Sequence, residues 1–470
     1  MDESRALALE LARDLDPAPE HIRRIARATS SEAASWAFTQ WQLRRVALRK
    51  FALANEMLFV REALEQATGE VLAAYRASRF VAAGAAGGDS TGLINEMTGT
   101  SRRLPSHATH SQEPEPMPRP PSPAPSQPQS APDLAAEERG WGSGEGECTA
   151  VGEPPPQPSP TGVGEGAHDP MPPSSHGWRP PADAVEVADL TCGIGGDLIA
   201  LARVGRATGF ELDPERAECA RHNLCVHGLE ARVRVESCLD HLHEFRYAFA
   251  DPARRVGGRR STDIADFQPD PHMIAAAMRD MELGGIKLSP LLPDTVLASF
   301  GGRVEFLSFA GECREALVWL GRRAGEPGTY AVWTDGSRVE VLPSTDPPPH
   351  EDQAMAMIAE ADPSAIRAHA LGNFGCAALG DSNGYLTGDE IPPSVWLRRY
   401  EVLFDGPWRP KTIQAELQRL GAKVTSVKTR TKGAEVEEAS KKLKPAGPKP
   451  VVLILYPVGP KVRAAITIPA

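Results

Sequence analysis

The sequence predicts an α/β fold: a doubly wound, largely parallel sheet, preceded by a helical segment and followed by a small α+β unit. Three observations carry this expectation. Short apolar runs alternate with amphipathic stretches over residues 183–345. The first of these runs, "VEVAD", leads directly into the glycine-rich "LTCGIGGD" of residues 190–197. A stretch dense in Pro, Ser and Gly separates this alternation from the helical pattern that precedes it.

Composition narrows the class. A chain of 470 residues has room for more than one domain. No run is long and apolar enough to cross a bilayer. The opening "MDESRALALELARDLD" carries acids where a secretory leader would carry a basic segment and an apolar core, so a cytoplasmic location is expected. Seven cysteines without a CxxC pair fit neither a disulfide framework nor a structural zinc site, and no metal is expected. Cys219, Cys225 and Cys238 read as small packing residues in a reducing compartment. The net charge of −11 argues against a uniformly basic nucleic-acid surface. From Ile391 onward, however, 15 Lys/Arg stand against 6 Asp/Glu. That basic end suits a polyanion, and an ordinary solvated surface would give the same count.

The elements follow in chain order. Residues 1–83 form a helical cap by pattern: "AASWAFTQWQLRRVALRKFALANEMLF" and "REALEQATGEVLAAYRASRF" repeat apolar positions at three and four. Residues 84–182, with "PEPMPRPPSPAPSQPQSAPD", read as a disordered linker that buries too little apolar surface to offset its ordering. The domain of residues 183–345 then runs strand "VEVADL", helix "LIALA", strand "ATGFEL", helix "PERAECARHNLCVHG", and strands "ARVRVES" and "YAFADP". It continues with helix "PHMIAAAMRDM", strands "GGIKLSP" and "RVEFLSFAGE", helix "CREALVWLGRR", and a closing hairpin "TYAVWTD"/"SRVEVLP" around Gly336. Residues 346–390 are expected to connect through a helix around "EADPSAIRAHALGNFGCAAL". Residues 391–470 read strand, helix, strand, helix "EVEEASKKLK", and two strands.

In a doubly wound sheet, ligands bind beyond the carboxyl ends of the strands at the switch point. Four features of the sequence fall there: Asp189 with the loop Thr191–Asp197, Glu211 closing the second strand, Asp240 beyond the third, and Asp251–Pro252 closing the fourth. The distance from glycine loop to Glu211 suits a carboxylate that grips ribose hydroxyls. The glycines are Gly193, Gly195 and Gly196, and the pattern is not GxGxxG. Asp189 would repel a pyrophosphate but can order a loop around a ligand bearing an ammonium group. S-adenosylmethionine has such a group, a ribose and no phosphate. Bland readings stand beside these. The glycines could simply shape a tight turn, Asp213 reads as a helix N-cap ahead of Pro214, and Asp240 could be a cap as well.

"DLTCGIGGDLIALA…GFELDPERAECARHN…CLDHL…ADPARR" resembles the class I S-adenosylmethionine-dependent methyltransferases. More narrowly, with "LEQATGEVLAAYRASRF", "IKLSP", "GECREA", "EADPSAIRA" and "SVKTRTKG", it is similar to bacterial methyltransferases with a C-terminal THUMP-like domain, distant relatives of trimethylguanosine synthase. The resemblance implies a Rossmann-like methyltransferase sheet, S-adenosylmethionine as cofactor and RNA as substrate. It implies that Asp189, Thr191, Gly193, Gly195 and Gly196 line the methionine and ribose parts of the cofactor. Glu211 would hold the ribose hydroxyls, Asp240 the adenine, and residues 66–70 would approach from above.

Asp251 and Pro252 would lie beside the methyl group. Relatives acting on base amines usually carry Asp/Asn/Ser-Pro-Pro-aromatic, whereas this chain reads Asp251-Pro252-Ala253-Arg254. The second proline and the aromatic are missing. Arg254, with Arg255, Arg259 and Arg260, could stack on bases or grip phosphates, or form a solvated basic loop. Lys287 and Ser289 could border the substrate pocket. Lys428 and Arg430 are the expected RNA backbone contacts. Two other readings stay open: a non-catalytic RNA-binding protein retaining the fold, and a methyltransferase for a small molecule or protein.

Overall fold

The computed structural model describes residues 1–84, 184–253, 255–256, 259–260, 263–430 and 442–470. The expected linker, Arg254 and most of the expected helix "EVEEASKKLK" lie outside the described residues. The chain begins with helices α1 (Glu3–Leu11), α2 (Pro19–Ala28), α3 (Ser31–Ala47), α4 (Arg61–Gln66) and α5 (Glu70–Gly84). Asp2 and Ser30 cap α1 and α3 by accepting from the N–H groups of Arg5 and Ala33.

The alternating region gives β1 (Glu186–Asp189), α6 (Gly196–Val204), β2 (Arg206–Phe210), α7 (Pro214–Val226), β3 (Arg232–Arg234) and β4 (Tyr247–Ala250). A small hairpin, β5 (Arg255–Val256) and β6 (Arg259–Arg260), follows. Then come α8 (Pro271–Met278), β7 (Leu283–Leu288), α9 (Asp294–Ala298), β8 (Arg303–Phe309), β9 (Glu312–Leu320), β10 (Gly328–Thr334) and β11 (Val339–Pro343). Nine of these strands form one sheet in the order β11-β10-β8-β9-β7-β4-β1-β2-β3. β3, β2, β1, β4 and β7 are mutually parallel. The chain reverses its winding direction at β1, which makes the carboxyl edge of β1 and β4 the switch point. As predicted, Asp213 caps α7, and β10 and β11 form an antiparallel edge hairpin.

One expected helix is a strand. Residues 313–320 of "CREALVWLGRR" lie in β9, inserted antiparallel between β7 and β8. Ala310 and Gly311 both adopt positive φ, 54° and 78°, which makes a two-residue hairpin turn and folds the segment back on β8. Its last six residues are all buried, so the apolar run belongs to a sheet interior rather than to one helix face.

A second expectation also changes. The connecting segment holds β12 (His350–Glu351), β13 (Met357–Ala361), β14 (Ala377–Leu379) and β15 (Tyr385–Gly388), with only a short helix α10 (Pro363–Arg367). Positive φ at His369, Gly375, Gly380 and Gly384 breaks the helix and turns the chain between strands. Together with β16 (Leu397–Pro407), β17 (Ala422–Thr429), β18 (Lys449–Val458) and β19 (Lys461–Pro469), they make an eight-stranded sheet ordered β12-β14-β15-β13-β16-β19-β18-β17. Helix α11 (Pro410–Leu420) buries Ile413 and Leu417 in the core beside β18 and β19.

The N-terminal helices are built into the nine-stranded sheet by buried polar contacts. Asn223 on α7 donates to the carbonyls of Leu58 (3.0 Å) and Ile194 (2.9 Å) and accepts from Leu58 N–H (2.8 Å). Gln40 makes the matching pair of bonds to Phe59. On α5, Tyr75 donates to Glu305 at 2.6 Å. Arg76, 1% exposed, pairs with both Asp197 of α6 and Glu315 of β9, over the ring of Phe249. Burial opposes the charge on Arg76, but the carboxylates of Asp197 and Glu315 hold its pKa above the ordinary guanidinium value. Arg76→Met would leave two buried carboxylates without their cation. It is expected to cost about 3–5 kcal/mol, measurable by urea unfolding.

Candidate active site

The carboxyl ends of β1, β2, β3 and β4 open into a cavity of about 700 Å³. Its walls come from six pieces of the chain: the glycine loop, the turns after β2 and β3, the end of β4, and two segments far apart in sequence. The first distant segment is Gln66-Ala67-Thr68, between α4 and α5. The second is the loop Phe267–Asp270, whose Gln268 is bridged by two backbone hydrogen bonds to Ala253.

Thr191, Gly193, Gly196, Glu211 and Asp251 all line this cavity. Gly193 takes φ 55°, a conformation disfavoured for residues with a Cβ. Gly196 faces the cap: a Cβ there would be in van der Waals contact with the carbonyl oxygen of Thr68, at 3.4 Å, and with Phe51 and Ala67. Gly195 is off the cavity wall: it is the left-handed N-cap of α6 (φ 91°) and packs on Ala220. Pro252 is buried behind the wall, which Asp251 and Ala253 form. Asp240 corrects another expectation. It is exposed within the 3-10 turn Cys238–Glu244, and the wall there is made by Glu236, Ser237, Cys238 and Leu239. Ser237 caps that turn, so the side chain three residues later is carried away from the cavity.

Glu211 is oriented by its own loop, with Oε1 accepting from Asp213 N–H at 2.9 Å. Thr191 spends its hydroxyl on the backbone, accepting from Asp251 N–H at 2.7 Å. Asp251 Oδ2 lies 2.5 Å from Lys287 Nζ, which also donates to Thr68 Oγ1 at 3.0 Å. Asp189 is 1% exposed. Its Oδ1 accepts from Thr191 N–H at 3.2 Å, while Oδ2 is buried without a hydrogen-bond partner. Burial, and then the charges of Asp197 and Asp251, push its pKa well above the carboxylate range.

Three carboxylates therefore cluster at one end of the site, but only Asp197 and Asp251 are on the cavity wall; Asp189, expected to line the cofactor, is buried behind it. The two on the wall have their own cations: Arg76 for Asp197 and Lys287 for Asp251. Of the three, Asp189 is the one with an orphaned oxygen, which suits a ligand that brings positive charge. Glu211, with apolar Leu212 and Leu239 nearby on the wall, suits a nucleoside with free ribose hydroxyls.

The pair expected to touch RNA has partners within the fold. Lys428 donates to Glu360 of β13 at 2.6 Å, and Arg430 lies 3.6 Å from the same carboxylate and over the ring of Tyr385. Sequence reasoning missed Arg76 and the Phe267–Asp270 wall, and did not join Lys287 to Asp251. Among the described residues no group of His, Cys, Asp and Glu is arranged to hold a metal, and no helix is long and apolar enough to cross a membrane.

Comparison with known proteins agrees with this geometry. Residues 184–254 match the family described as RNA cap guanine-N2 methyltransferase, and residues 397–468 match the THUMP domain-like family. A protein of Mycobacterium tuberculosis, named as an uncharacterized S-adenosylmethionine-dependent methyltransferase in two strains, is 28% identical over 279 residues. The match spans 57% of this chain and 76% of that protein. A crystal structure of a proposed methyltransferase from Porphyromonas gingivalis W83 shares the fold with TM-score 0.61 at 16% identity, covering 100% of this chain and 99% of the other. Fold and site thus define a class I methyltransferase that uses S-adenosylmethionine. Within that class, this chain is one that carries a C-terminal THUMP-like domain.

Asp189 generates a pH prediction. Because its folded pKa is raised, the native state holds a proton that the unfolded state releases. Its contribution to stability is full at acid pH and is lost as pH rises toward that raised value. Asp189→Asn should therefore flatten the loss of melting temperature as pH rises above the ordinary carboxylate range in the cofactor-free protein.

Proposed function

We propose that this methyltransferase modifies a nucleoside of RNA. The observation that carries the reading is the union, in one chain, of a catalytic segment matching a family named for an RNA guanine amine with a THUMP-like match on the basic C-terminal end. Glu211 would hold the ribose hydroxyls of S-adenosylmethionine, and Asp189, behind the wall, would order the loop at Thr191 around its positively charged end. Leu212 and Leu239 would flank its adenine. When bound, the cofactor supplies an activated methyl group on sulfur.

The remaining work falls to residues that orient the acceptor, since such a displacement needs mainly alignment and little acid–base help. Asp251 reaches the cavity from the end of β4 with its backbone N–H and one oxygen already bound, so it presents a fixed hydrogen-bond acceptor to the incoming group. The wall also carries Asp197, Glu211, Asp213, Glu236 and Asp270. Phosphates are poorly suited to such a cavity, so a nucleobase would enter while the backbone stays outside. The exposed cations Arg409 and Lys411 at the start of α11, with Lys423 of β17 and Lys449 of β18, are suited to that backbone.

Mass spectrometry of RNA nucleosides from cells with and without the protein tests the reading; no changed nucleoside would overturn it. Glu211→Ala should weaken cofactor binding by about 1–3 kcal/mol. Asp251→Ala should leave that affinity unchanged and abolish transfer. Reversing the charge of Lys411 or Lys423 should lower RNA affinity and reduce its salt dependence by about one unit of slope for each phosphate no longer neutralised.

A further inference from the structure

We propose that Lys287 is a positioning residue for methyl transfer: its ammonium locks the Asp251 carboxylate and makes that lock depend on the seating of the N-terminal helices. The proposal rests on the reading that Asp251 faces the acceptor.

The geometry is set by the sheet. β4 and β7 are parallel neighbours, with Ala250 paired to Ile286, so residue 251 stands level with residue 287. Lys287 is 12% exposed and Asp251 is 24% exposed, so the pair is largely withdrawn from water. There a cation is costly unless its donors are used, and a methionine would fill the same volume without that cost. Its two named partners come from different parts of the chain: Asp251 of the catalytic strand at 2.5 Å and Thr68 of the cap at 3.0 Å.

Thr68 is itself fixed. It is 6% exposed, and the turn before it is held by Lys50, whose ammonium donates to the carbonyls of Leu64 (2.7 Å), Glu65 (3.1 Å) and Ala67 (2.7 Å). One ammonium, that of Lys287, therefore joins cap, β4 and β7 at the cavity wall. Thr191 fixes the backbone of Asp251 from the other side. With Oδ2 engaged by Lys287, Oδ1 is the oxygen left to accept a hydrogen from the methyl acceptor. A carboxylate held in one rotamer aligns that acceptor, and a freely turning one does not.

The test uses the full-length protein, S-adenosylmethionine labelled in the methyl group, and extract from cells lacking the protein, separated into RNA, protein and small-molecule fractions. Which fraction wild type labels decides the RNA reading; Lys287 is assessed in that fraction, whichever it is. K287M should lower kcat by about 100-fold, the scale of a group displaced by an ångström, with the KM and Kd for S-adenosylmethionine changed less than about twofold. K287R, which keeps a cation, should recover about tenfold of that loss, and T68V should lower kcat by a few-fold.

Melting temperature and cofactor affinity identify a variant that has only lost its fold. In that event the D251N/K287M protein, whose pair is neutral, provides the comparison. Against D251N alone it should show no additional loss, because Lys287 acts through Asp251. A K287M enzyme with kcat within about twofold of wild type, or a K287M effect that multiplies undiminished onto D251N, would overturn the proposal.

Discussion

The guanidinium of Arg76 is the group on which the rest of the catalytic half depends. It sits out of water between a carboxylate on the helix that follows the glycine loop and one on the inserted strand β9, with an aromatic ring of β4 beneath it. A buried ion pair of this kind adds little net stability, because the desolvation of each charge offsets most of the attraction. Its value is in register: only one placement of α5 on the sheet satisfies all three groups. Tyr75 and Arg79, on the same helix, both reach toward Glu305, which Arg303 and Trp319 also bind. With α5 fixed, the segment Gln66–Thr68 is delivered to the cavity wall, and the cap becomes part of the site rather than an accessory to it.

The motifs that were legible in the sequence are those whose function is local to one strand end. Thr191, Gly193, Gly196, Glu211 and Asp251 lie at the ends of neighbouring parallel strands, and the sheet itself brings them together. Asp240 was misplaced because the turn after β3 is a 3-10 turn, whose phase a sequence does not display. The strand β9 was misread because Glu, Ala and Leu favour helix in isolation, while pairing on both sides overrode that preference. Arg76 could not be read at all: its partners are 121 and 239 positions away.

The site also shows where stability has been given up for binding. Asp197 and Asp251 each have a cation within the fold, and Asp189 has a single backbone N–H and an unanswered oxygen. A protein selected only for stability would place an amide or an apolar residue at the end of that buried strand. The local conflict is the sort expected where a ligand completes the structure.

The polypeptide leaves the helical cap and returns to the sheet at one spot. A Cβ on Gly84 would fall 2.3 Å from a methyl group of Val185, so the two points are in van der Waals reach despite the hundred positions between them. Only a residue without a side chain fits at position 84 unless Val185 moves, so the last residue of α5 and the entry to β1 are spaced for a glycine. A bulkier residue there would push on the first strand of the catalytic sheet, so the close of the helical cap and the start of β1 are adjusted to one another.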